Sequence, residues 1–105
     1  MEAPLHLSVD VMTCPLEVTV TASGPLDAMN AWMLSEPLRA ALERSPVVLD
    51  VSGVSLFGAA AVHVLEDARR DAERHGHALR VLGSDGEARR VLRLVQREDL
   101  LALAA

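Results

Sequence analysis

Two alternating stretches lie back to back at the start of the chain, and they leave few choices for what it can become. Leu5, Leu7, Val9 and Val11 alternate with His6, Ser8, Asp10 and Met12; Leu16, Val18, Val20 and Ala22 then alternate with Glu17, Thr19, Thr21 and Ser23. Successive side chains of a strand point to opposite faces, so a period of two marks strands with one face buried and one wet. Only Thr13-Cys14-Pro15 separates the two stretches, which leaves room for a short turn and no more. They form a β-hairpin, and the rest of the chain has to extend its sheet and cover one face.

Gly24-Pro25 is expected to stop the second strand, and Asp27 to cap the helix that follows. That helix runs to about Arg44, with Met29, Met33, Leu34, Leu38, Ala41 and Leu42 inward. Pro37 in its middle implies a kink, or a restart capped by Ser35. Val47-Val48-Leu49-Asp50-Val51 is β-branched and nearly continuously apolar, as in a strand covered on both faces. After a loop from Ser52 to Phe57, a second helix extends from near Gly58 to about His75. It buries Ala61, Leu65, Ala68 and Ala72, pairs Glu66 with Arg70 on its surface, and ends at Gly76. Leu79, Val81 and Leu82 form a fourth strand. Ser84-Asp85-Gly86-Glu87 reads as a capping box opening a third helix that buries Ala88, Val91, Leu92 and Val95. A short terminal helix from about Asp99 carries Leu100, Leu101 and Leu103.

The order is β-β-α-β-α-β-α-α. Helical crossovers make strands two, three and four parallel, and the hairpin adds an antiparallel strand, so the expected fold is α/β with a small mixed four-stranded sheet and about four helices. At 105 residues the chain fits one domain spanning 1–105, with enough core to stand without metals or disulfides.

Charge and composition remove several function classes. All ten basic residues are Arg, against fifteen acidic ones, for a net charge of −5; such a chain repels a phosphate backbone. Trp32 and Phe57 are the only aromatics, so no base-stacking platform is available and nucleic-acid binding is not expected. Cys14 is alone and forms no intramolecular disulfide. The start, Met1-Glu2-Ala3-Pro4, lacks the pattern of a signal peptide. Val47 to Leu65 is largely apolar, but Asp50, His63, Gly53 and Gly58 interrupt it, and strand-turn-helix explains it better than a membrane span. A cytoplasmic protein is expected.

The element order, with Gly24-Pro25-Leu26-Asp27 closing strand two, resembles the STAS domain family, which includes the bacterial anti-sigma-factor antagonists. Val48-Leu49-Asp50-Val51-Ser52-Gly53-Val54-Ser55-Leu56-Phe57 is similar to the family's aliphatic strand and following loop. Glu87-Ala88-Arg89-Arg90-Val91-Leu92-Arg93-Leu94 resembles its last major helix, so the likeness covers residues 5–103. The family's loop ends in Asp-Ser-Ser-Gly, whose first Ser is phosphorylated by the cognate anti-sigma kinase; here those positions are Gly58-Ala59-Ala60-Ala61. The resemblance therefore implies a domain without its phosphoacceptor, since Ala59 has no hydroxyl.

It also implies a docking surface made by Asp27, Ser55, Leu56, Phe57, Gly58, Ala59, Ala60, Ala61, Val62 and His63. The partner it implies is an anti-sigma factor of the histidine-kinase-like ATPase type, a serine kinase. STAS domains also serve as accessory or scaffold subunits of ABC-type lipid transporters and stress-sensing assemblies, which is the alternative reading, and some bind nucleotides or small ligands.

Other chemistry finds little support. Ser55 is a turn residue before it is a substitute phosphoacceptor. His75 and His77 flank Gly76 near Glu73, with no third ligand at a metal-site spacing. No Ser or Cys sits in a nucleophile elbow with a His and an acid, and a chain without Lys has no phosphate-binding loop. The expectation is a non-enzymatic binding module with no cofactor and no metal.

Overall fold

The computed structural model describes residues 4–13, 15–83 and 86–101. The chain forms β1 (His6–Thr13), β2 (Leu16–Leu26), α1 (Trp32–Leu42), β3 (Val47–Phe57), α2 (Ala59–His75), β4 (Leu79–Leu82) and α3 (Glu87–Leu94). A single turn of 3₁₀-helix, Glu98–Leu101, stands where a fourth helix was expected. The strands lie in the order β1-β2-β3-β4. β1 pairs antiparallel with β2, and β2-β3 and β3-β4 pair parallel, so the α/β class and the mixed four-stranded sheet are as expected. Cys14, Ser84, Asp85 and Leu103 lie outside the described residues, as does the side chain of Leu101.

Two right-handed crossovers that step the same way along a sheet leave both helices on one face, and the burial pattern agrees. Val18, Val20, Val47, Leu49, Leu79 and Val81 share that face by register and are buried with Leu34, Leu38 and Leu42 of α1 and Ala61, Leu65 and Ala68 of α2. The opposite face buries Val48, between Thr19 and Arg80, and otherwise presents Glu17, Thr19, Thr21, Asp50, Arg80 and Leu82, all half-buried or exposed.

Several boundaries differ from those expected. β2 does not stop at Gly24-Pro25 but runs on to Leu26. β1 begins opposite Ser23, so among the described residues no strand pairs with Pro25 on that side, and the N–H a proline lacks is not missed by a ladder there. Ser52 to Phe57 is not a loop but the second half of β3, paired with Ser23–Leu26. Its register slips twice, between Thr21 and Ser23 and between Gly24 and Pro25, and each slip inserts one extra residue in β3. These bulges replace the two-residue burial period with a three-residue one: Val51, Val54 and Phe57 are buried.

α1 starts at Trp32, later than expected, and passes through Pro37 without a restart at Ser35. Met29 and Met33 are not inward but 83% and 40% exposed. On α2 the expected Glu66–Arg70 pair is replaced by Arg70–Asp67, while Glu66 bonds His63 and Arg97. α3 opens after Gly86, which offers no side-chain cap; it buries Ala88 and Leu92 but leaves Val95 half exposed.

Arg97 ties the 3₁₀ turn to α2 through Glu66 and also binds Asp99, which Arg69 reaches at 2.8 Å. The hydrogen bond from Arg97 holds the Asp99 carboxyl below its ordinary value, as that from Arg90 does for Glu87. A lowered carboxylate adds stability above its unfolded pKa and loses it as pH falls through the folded one; exposure keeps both contributions small.

Gly76 closes α2 in the left-handed region, φ +71°, where its N–H meets the Glu73 carbonyl and that of His77 meets Ala72. Nothing lies within 4 Å of a Cβ placed there. Gly76→Ala is therefore expected to cost backbone strain alone, about 1 kcal/mol. Thermal unfolding checks this: Tm drops by several degrees, and Gly76→Asn recovers part of the loss because Asn tolerates this conformation.

Candidate functional site

The end of β2, the end of β3 and the start of α2 meet at Gly58. Its N–H donates to the Leu26 carbonyl at 2.8 Å, and its own carbonyl accepts from Ala61 and Val62 to open α2. A Cβ at Gly58 would sit 3.2 Å from the Leu26 oxygen and 3.5 Å from the Asp27 Cα, so glycine is what lets the β2–α1 turn close on the N-terminus of α2.

Asp27 does not cap α1 itself, whose N-cap is Ala31. It closes the turn before it. The Asp27 carboxylate accepts the Met29 N–H at 2.9 Å, and the Asn30 side-chain oxygen accepts the Asp27 N–H at 2.9 Å. This is the reciprocal logic of a capping box, moved one turn upstream. The Asn30 amide then donates to the Pro25 carbonyl, fixing the turn to the end of β2.

The expected docking residues divide by burial. Phe57, Ala61 and Val62 are 2%, 1% and 9% exposed and belong to the core, which corrects their expected place at the surface. Phe57 is turned inward by the bulged register of β3, and Ala61 and Val62 by the phase of α2, whose buried stripe continues through Leu65 and Ala68. Ser55, Leu56, Ala59 and His63 are exposed, Ala60 and Gly58 half-buried. His63 sits 3.1 Å from Glu66, so the charge on this part of α2 is locally paired when the imidazole is protonated.

Sequence reading missed the exposed apolar residues that follow the Asp27 turn. Met29, Trp32 and Met33 stand outward at the start of α1, Trp32 66% exposed with its indole N–H on the Met29 carbonyl at 3.1 Å. Helix periodicity assigned the two methionines to the core because it extended the helix back to Asp27; with the helix beginning at Trp32, the buried stripe is Leu34, Leu38, Ala41 and Leu42. The compositional signal was available, since one of two aromatics in the chain lies off that stripe.

The STAS domain family model matches residues 8–104. The chain belongs to the STAS domain family. Solved structures agree on the fold. An anti-sigma factor antagonist from Mycobacterium paratuberculosis superimposes with a TM-score of 0.73 at 22% identity, over 94% of this chain and 86% of the other. An antisigma-factor antagonist STAS domain from Rhodobacter sphaeroides gives 0.66 at 23% identity, over 82% and 92%. The phosphorylated Bacillus cell fate determinant SpoIIAA gives 0.70 at 13%, over 90% and 87%. No curated protein matches by sequence. No helix among the described residues of this STAS domain is long and apolar enough to cross a membrane, and the apolar window from Val47 to Leu65 is divided between β3 and α2.

Proposed function

We propose that this STAS domain is a non-enzymatic, cytoplasmic regulatory module of residues 1–105 that docks on an anti-sigma factor of the histidine-kinase-like ATPase type through the start of α2, and that phosphorylation does not end the docking. The observation that carries this reading is the chemistry of that surface. Ala59, exposed at the first position of α2, offers no hydroxyl to a kinase, and its neighbours Gly58 and Ala60 are equally inert. The similarity to anti-sigma-factor antagonists, one of them solved in phosphorylated and unphosphorylated forms, supports both the partner class and the importance of the phosphoacceptor position.

Small uncharged residues at the centre, with apolar anchors beside them, suit the middle of a protein interface. Leu56, 42% exposed, stands on the β3 side, and Met29, Trp32 and Met33 on the α1 side. Tryptophan is the residue type whose truncation costs most at interfaces. Trp32→Ala is expected to weaken binding to the anti-sigma ATPase by about 30-fold or more. Tm should stay close to wild type, because the side chain packs little within the fold. Calorimetric titration decides it: wild-type affinity in the variant would move the docking surface away from α1, and absence of any binding by the parent chain would remove the anti-sigma reading.

A further inference from the structure

We infer that two copies of this chain pair through β1, edge to edge, into one continuous eight-stranded sheet. β1 is the outer strand of the sheet and the longer of its two edges, eight residues against four in β4. Among the described residues no strand bonds its outward backbone N–H and C=O groups, and such an edge selects another strand. Edges that must stay unpaired are blunted by charged side chains, Pro or bulges; His6–Thr13 has no Lys and no Pro, its register with β2 is unbroken, and its charged residue, Asp10, lies opposite Thr19 on the face away from the groove.

The side chains say which strand fits. Leu7, Val9 and Val11 lie on the helix-covered face, opposite Ala22, Val20 and Val18. α1 falls short of the hairpin end, leaving Val9 49%, Val11 59% and Leu16 44% exposed. They line a groove of about 490 Å³ whose far wall is Pro37 and Ala40 of α1. In an antiparallel pair, residues directly opposite share a face, so a two-fold axis normal to the sheet must pass midway between the two copies of one β1 residue. With the axis on Val9, Val9 meets Val9, Leu7 meets Val11, and Ser8 meets Asp10. The apolar residues then stay on the groove face, and each Ser8 hydroxyl can donate to an Asp10 carboxylate. Moving the axis to Asp10 sets like charges directly opposite. Moving it to Ser8 shortens the paired segment within the strand to His6–Asp10. The sequence of β1 is thus self-complementary about Val9, which commits the edge to a second copy of this chain.

Sedimentation velocity at hundreds of micromolar, with reductant present so that Cys14 cannot link chains, is expected to show twice the monomer mass. Val9→Lys, placing two ammonium groups on the axis at a position already half exposed, is expected to return it to monomer. Wild type that remains monomeric, or a folded Val9→Lys variant that remains dimeric, overturns the proposal. Should Val9→Lys fail to fold, cross-linking in a Cys14→Ser background decides. Across the axis, residue 9 of each copy has a Cα separation of about 5 Å, inside the disulfide range. The same separation for residue 11 is over about 12 Å. Oxidation is expected to link Val9→Cys and not Val11→Cys; the reverse, or neither, overturns the register. The dimer rests on β1 alone and stands independently of the anti-sigma reading.

Discussion

Phe57→Ala is expected to remove much of the fold's stability rather than to blunt a surface contact. The ring is 2% exposed at the end of β3, opposite Leu26, and packs in the core with Val54 and Ala61. Truncating a buried Phe leaves a cavity and costs about 3–5 kcal/mol. The whole fold of a domain this size is worth about 5–15 kcal/mol. At about 4–8 °C per kcal/mol for a domain near this length, Tm should fall by 12 °C or more. Thermal unfolding followed by circular dichroism reads this directly, with Leu56→Ala as the control. Leu56 is the neighbouring exposed residue and should leave Tm nearly unchanged. Any lost binding in a Phe57 variant would then be a folding defect, and a Phe57→Ala variant with wild-type Tm would return the ring to the surface.

Ala59→Asp is expected to do the opposite, keeping the fold and losing the partner. The residue is exposed at the first position of α2, where a carboxylate is favoured by the helix dipole, so stability should hold or rise by a few tenths of a kcal/mol. At the centre of an uncharged interface the same carboxylate is desolvated without a counter-ion, and affinity for an anti-sigma ATPase should fall about 100-fold. The substitution also imitates, in part, the negative charge that phosphorylation would bring to this position. Calorimetric titration beside a thermal melt separates the two effects. Unchanged affinity with an intact fold would place docking elsewhere.

The fold was legible where one rule governed a whole element. The hairpin, the strand at Val47–Val51, helix α2 with its stop at Gly76, and the mixed sheet follow from periodicity and turn chemistry. Reading failed where tertiary pairing overrode local pattern. Ser52, Gly53 and Ser55 look like loop residues, but two bulges against Ser23–Leu26 keep them in β3. Those bulges also set Phe57 inward, which no period-two count can show. Pro25 looks like a strand stop, and only the short reach of β1 makes it harmless. The start of α1 was misplaced because Asp27 and Asn30 close a turn of their own, and the phase of Met29 and Met33 went with it. The small, hydroxyl-free run Gly58-Ala59-Ala60-Ala61 was plain from sequence; the exposed apolar residues at the start of α1 were not, since exposure depends on where a helix begins.

Native mass spectrometry of this STAS domain mixed with an anti-sigma ATPase and Mg-ATP reads complex formation and phosphate incorporation together. A persistent complex with the STAS chain at its unmodified mass is the expected result. Phosphate appearing on the chain as the complex disperses, or no complex at any time, would contradict it.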